Sequence, residues 1–142
     1  MKRLAIILLA GLSTFAFTGV TAQEDDEEKA IRETIQLYFK GDSDRDVKFL
    51  KEAFHPTARL LTSDKNGNLA AMTQSEWYEL VNQTPDREKP TVRILSIDRA
   101  GNAAMAKTQL IRSNGTFIDF LSLLKINSGW IIVNKIYHWQ EN

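Results

Sequence analysis

The 142-residue chain has no cysteine, three prolines and two histidines. Without cysteine it has no disulfide, no thiol to carry a lipid anchor and no sulfur-ligated metal site, so its stability has to come from a buried core. His55 and His138 alone are too few to build a metal site of ordinary ligand count. An excess of charge of one sign is also missing, since 18 Lys and Arg stand against 18 Asp and Glu. Phosphate binding wants clustered Lys and Arg, and the balance excludes nucleic acid as a partner. There is no glycine-rich phosphate loop, nucleophile elbow or paired-cysteine motif, and no cofactor is implied. Internal repeats, linkers and low-complexity segments are absent as well.

One long apolar run is present, at the front. Met1, Lys2 and Arg3 are followed by an almost uncharged stretch to Val20, then by the small residues of Val20-Thr21-Ala22 and the acidic run Gln23 to Glu28. That is the layout of a secretory signal peptide. A membrane span needs roughly 20 apolar residues, and this run is interrupted by Gly11, Ser13, Thr14 and Gly19. We expect residues 1–22 to be removed after Ala22 and the remainder to be exported, to the periplasm or the exterior, with no membrane contact after cleavage. Deleting Lys2 and Arg3 from the 18 basic residues leaves 16 against 18 acidic ones. Residues 23–142 are of single-domain length.

Ile31, Ile35, Tyr38 and Phe39 fall at helical spacing behind an acidic start that suits the helix dipole. Gly41-Asp42 is expected to end this helix. Asp44 or Asp46 can cap a second one with Val47, Leu50, Ala53 and Phe54 inward, closed by Pro56. Residues 58–62 and 69–72 read as two strands around the turn-rich residues 63–68. Thr73 and Glu76 make a capping-box pattern for a third helix with Trp77, Leu80 and Val81 inward. Residues 92–98, 103–112, 116–126 and 130–139 are β-rich runs separated by glycine-containing turns. Helices followed by an antiparallel meander give an α+β class.

FHPTARL at 54–60, EWYELV at 76–81, RILSID at 93–98 and DFLSLLKINSGWIIVNKIYH at 119–138 resemble the lumazine-binding branch of the nuclear transport factor 2-like superfamily. The resemblance spans residues 23–142. It implies a cone, in which a strongly curved antiparallel sheet wraps around a pocket closed by the N-terminal helices. Related domains include isomerases, dehydratases, hydrolases and cyclases together with non-catalytic binders, so a shared fold does not assign an activity. Thr57 stands where relatives often carry Asp.

Alternation along the strands tells which side chains share a face. With Asn114-Gly115 and Ser128-Gly129 as turn centres, Asp119 lies opposite Leu110 and His138. Ala104, Ala106, Thr108, Arg112, Phe117, Leu121, Leu123, Ile132, Asn134 and Ile136 join it on a mostly apolar, pocket-like face. An Asp119–His138 pair would be a general acid/base couple; in the plainer alternative Asp119 pairs with Arg112. A three-residue loop at 127–129 would instead set Tyr137 against Asp119. His55 sits at the pocket rim, as a ligand contact or a structural cap, while Tyr38 and Trp77 stack on a ligand ring or fill the core. The expected ligand-binding set is Tyr38, His55, Trp77, Asp119, Leu121, Asn134 and His138. Met105, Ile111, Ile118, Phe120, Leu124, Ile131, Val133, Tyr137 and Trp139 fall on the opposite face, an apolar surface that suits a homodimer.

Three functions follow. The first is an exported domain binding a small apolar or aromatic molecule. The second is an isomerase, dehydratase or hydrolase using Asp119 or His138 as base. The third is a protein-interaction module using the outer sheet face.

Overall fold

A computed structural model describes residues 25–84, 88–127 and 129–142. The expected signal peptide, residues 1–22, lies outside the described residues. The order of elements is α1 (Asp26–Asp44), α2 (Val47–Ala53), β1 (Phe54–Ser63), β2 (Leu69–Thr73), α3 (Gln74–Gln83), β3 (Thr91–Ala100), β4 (Ala103–Arg112), β5 (Gly115–Ile126) and β6 (Gly129–Glu141).

Asp25 caps α1 by accepting from the Glu28 amide at 2.7 Å. The helix does not stop at Gly41. It runs on to Asp44, and Arg45 in the left-handed region closes it. Gly41 has a different task, because a Cβ there would lie 2.6 Å from Leu50 Cδ2 and 2.9 Å from the Leu50 amide nitrogen. The missing side chain is what lets α2 approach α1 so closely. Asp46 caps α2, and Thr73 with Glu76 forms the reciprocal capping box of α3.

The six strands form one sheet in the order β2-β1-β6-β5-β4-β3. It is antiparallel except where β1 runs parallel to β6. Register shifts mark three of its pairings, between β1 and β6, β3 and β4, and β5 and β6. Such bulges bend and twist a sheet. Helices α1, α2 and α3 lie over one face, burying Ile31, Ile35, Tyr38, Leu50, Phe54, Trp77 and Val81 against Ala106, Leu110, Leu121, Leu123 and Ile132. Thr34 donates to the Trp130 carbonyl at 3.1 Å and ties α1 to β6.

The β4–β5 hairpin closes around Ser113-Asn114, with Arg112 opposite Gly115 and Asp119 opposite Thr108 rather than Leu110. A slip of two residues leaves the faces unchanged, so Ala104, Ala106, Thr108, Arg112, Phe117, Asp119, Leu121 and Leu123 stay on the inner side. Strand β6 behaves differently. Leu123 pairs with Ile132, but Ser122 pairs with Asn134, and Val133 is the extra residue of a bulge. One extra residue inverts the side-chain alternation beyond it. Lys135, Tyr137 and Trp139 therefore turn inward, and Asn134, Ile136 and His138 turn outward.

Candidate functional site

Asp119 sits at the centre of the inner face with 0% exposure. A carboxylate this deep is costly unless it is paired and hydrogen-bonded. Tyr38, one of the inward residues of α1, donates its phenol hydrogen to Asp119 Oδ2 at 2.7 Å. Thr108, directly across on β4, approaches the same oxygen at 3.5 Å. Lys135 lies 3.4 Å from Oδ1 and donates to the Tyr38 hydroxyl at 2.7 Å. The three groups form a closed set in which the tyrosine oxygen accepts from the ammonium and donates to the carboxylate. Burial first, and the Asp119 charge next, push the Tyr38 phenol well above the ordinary tyrosine range. Tyr38 therefore stays a donor.

The Lys135 ammonium is also enclosed by rings, 4.8 Å from the centroid of Tyr38 and 5.3 Å from those of Trp77 and Tyr137. Each ring face attracts the cation. Lys135 and these aromatics wall a cavity of about 260 Å³ whose other apolar sides come from Leu60, Met72, Leu80, Val81 and Phe117. Asp42, Arg45 and Thr84 add polar groups to its lining. Arg112 donates to Asp42 Oδ2 at 2.6 Å and to the Glu88 carbonyl. Arg45 donates to the carbonyls of Leu80 and Val81 at 3.1 and 2.7 Å, completing the end of α3.

The structure brings together only part of the expected binding set. Tyr38 and Trp77 line the cavity. Asp119 lies behind that wall and reaches it through Tyr38 and Lys135. Leu121 is packed into the core with 0% exposure. His55 lies in β1, its Nδ1 standing 2.8 Å from the Thr57 hydroxyl, and it lines no part of the cavity. Asn134 and His138 face away from it because of the Val133 bulge, so the expected Asp119–His138 couple does not form. Nor does Asp119 pair with Arg112, which is taken by Asp42 of α1. Tyr137 does stand opposite Asp119, through the bulge rather than through a longer turn.

Tyr137 was expected on the outer face, as was its neighbour by alternation, Lys135, and Asp42 and Arg45 were not expected at the site at all. A signal for the first two was present. Ile131-Ile132-Val133 is three apolar residues in a row, which a strictly alternating half-exposed strand does not accommodate. Asp42 and Arg45 leave no such trace, since each reads locally as a solvated residue at a helix end.

Chemically, the site pairs a mostly apolar cavity with the Lys135 ammonium. One Lys135 ammonium hydrogen serves the Tyr38 hydroxyl while the charge faces Asp119 Oδ1 as an ion pair, and another hydrogen can meet an oxygen of a molecule in the cavity. Among the described residues no group of three or more His, Asp or Glu side chains is placed to hold a metal ion.

Residues 26–138 match the family model described as "Putative lumazine-binding". An aldolase, FrzH of Cladobotryum sp, is 26% identical over 121 residues, covering 84% of this chain and 94% of that protein. An NTF2-like protein of unknown function from Shewanella baltica OS155 superposes with a TM-score of 0.74 at 27% identity, covering 82% of this chain and 95% of its own. Another such protein, from Methylobacillus flagellatus KT, gives a TM-score of 0.74 at 26% identity, with coverage of 84% and 96%. With its curved six-stranded sheet, its helix-covered cavity and a match over nearly all of the described residues, the chain belongs to the Putative lumazine-binding family of the nuclear transport factor 2-like superfamily.

Proposed function

We propose that the protein is an exported binding domain for a compact, largely apolar or aromatic molecule that carries an oxygen acceptor. The observation that carries this reading is the Lys135 ammonium set into the wall of an otherwise mostly apolar cavity of about 260 Å³. Aromatic and aliphatic walls supply affinity by excluding water, and the Lys135 ammonium fixes orientation.

A thermal-shift screen against pteridines, flavins, terpenoids, steroids and short polyketide-like acids and ketones tests it. A ligand present at about 100 times its dissociation constant stabilises the fold by roughly 2.7 kcal/mol. The shift should shrink in Lys135→Met. A panel in which no compound raises the melting temperature of well-folded protein sinks the reading for these classes.

A catalytic version of the same site is favoured by the buried Lys135–Tyr38–Asp119 set and by the similarity to a protein named an aldolase. Asp119 remains the base of that version. His138 drops out of it, because its side chain points away from the cavity.

The outer sheet face is proposed to pair with a second copy of the chain. Met105 is 54% exposed and Ile136 49%, with Phe120 and Leu124 between them on the same face. Arg93, Lys107 and Asp98 share that face, giving charges of both signs that a two-fold-related copy can match. Light scattering of the purified protein decides it: a dimer that dissociates in Phe120→Glu supports the pairing, and a monomer at micromolar concentration refutes it.

A further inference from the structure

We infer that Lys135 is a nucleophilic amine and that it forms a covalent imine with a ketone or aldehyde held in the cavity. This rests on the reading above that the cavity admits a small oxygen-bearing molecule.

A lysine attacks a carbonyl only after giving up a proton, so it needs an acceptor at hand and an environment that holds bulk water away. Lys135 has both. Asp119 Oδ1 lies 3.4 Å from its nitrogen and makes no hydrogen bond among the described residues. The Tyr38 hydroxyl at 2.7 Å links the amine to the other oxygen of the same carboxylate. Lys135 is 6% exposed, and the rings of Tyr38, Trp77 and Tyr137 leave it facing the cavity rather than solvent.

The step balances without an outside reagent. Nζ passes one proton to Asp119 and its lone pair attacks the carbonyl carbon, opening the C=O π bond. The resulting hydroxyl leaves as water, taking two hydrogens that began on the ammonium. What remains is an iminium, which carries the positive charge that the ammonium carried. Asp119 is again a carboxylate and faces a cation in the same place, so the buried charge pair is conserved through the reaction. This conservation is the energetic argument for the site, since a lone buried charge is strongly disfavoured.

The test uses 1-phenylbutane-1,3-dione, an aromatic diketone whose imine loses its central proton and settles as an ultraviolet-absorbing enaminone. Full-length protein is incubated with it, and the adduct is followed by absorbance, intact mass and peptide mapping. The expected result is one diketone added with loss of one water, mapped to Lys135 ahead of every other lysine. Labelling should spread over the lysines once the protein is unfolded in urea. Lys135→Arg keeps a cation for Asp119 but cannot form an imine, and it should lose the adduct. Bound diketone, seen as a thermal shift, without an adduct on Lys135 overturns the covalent proposal and leaves the binding reading standing. Neither shift nor adduct overturns both for this class. Labelling of Lys135 at the pace of surface lysines such as Lys48 overturns the nucleophile alone.

Discussion

Tyr38 and Asp119 are separated by 81 positions in the chain, yet their side chains meet at 2.7 Å in a buried hydrogen bond between α1 and β5. The phenol both holds the helix onto the sheet and supplies a donor to a fully buried carboxylate. Lys135 completes the arrangement from β6, so three elements distant in sequence converge on one charged group.

Tyr38→Phe removes that donor while keeping the ring. A hydrogen bond to a buried charged group contributes about 1.5–3 kcal/mol, and a loss of this size should appear as a lower urea midpoint with an unchanged slope. Tryptophan fluorescence follows the transition. An unshifted midpoint would mean that the carboxylate does not depend on the phenol.

Lys135→Met and Asp119→Asn each leave a partner without its opposite charge. Breaking a buried pair from one side costs about 3–5 kcal/mol. The double variant leaves no lone charge and should cost clearly less than the sum of the singles. A double-mutant cycle from denaturant unfolding measures the difference; simple additivity would show that the two groups do not interact.

Gly41→Ala inverts the usual rule for helix interiors, where alanine gains roughly 0.5–1 kcal/mol over glycine. Here the new methyl meets the Leu50 side chain at 2.6 Å and the Leu50 backbone nitrogen at 2.9 Å. The side chain could yield, but the backbone of α2 would have to move. Overpacking of this kind costs about 1–3 kcal/mol, so the variant should melt below wild type. A stabilised variant would show that α1 and α2 are not so closely packed.

Acid should loosen the grip of α1 on the sheet. Glu27 is held below its ordinary value of 4.5 first by the Lys125 hydrogen bond and then by that of Trp130 Nε1. Asp44 is drawn down to about 2 by Lys40 and Lys89. Because these carboxylates titrate lower folded than unfolded, the unfolded chain binds more protons through this range. Their contribution is present above the unfolded values and is lost as pH falls toward the folded ones. Stability measured from neutral pH down to about pH 3 should decline, and Glu27→Gln should flatten the upper part of that decline. A slope identical to wild type would rule out Glu27 as a contributor.

Much of the architecture is legible in the sequence because its signals are local. Ile31, Ile35, Tyr38 and Phe39 repeat at helical spacing and are all buried on α1. Thr73 and Glu76 sit three apart and cap α3. The turns set the strand ends to within a few residues. The β4–β5 faces survive an error of two in the turn, because two is the period of a strand. The helix boundary at Gly41 fails for a reason of the opposite kind: the glycine answers a close approach from α2, which no local rule reports.

The sequence by itself determined that the chain is α+β and that it has an apolar inner face with Asp119 among it, since composition, periodicity and turn chemistry act over a few residues; the superfamily resemblance rested on its motifs. Only the tertiary structure decided what Asp119 meets. One bulge residue, Val133, exchanges Asn134 and His138 for Lys135 and Tyr137 at the cavity, and Arg112 goes to Asp42 on a helix 70 positions away. The physical reason is that a strand's alternation is blind to an inserted residue, and a buried charge takes the partner that folding brings to it.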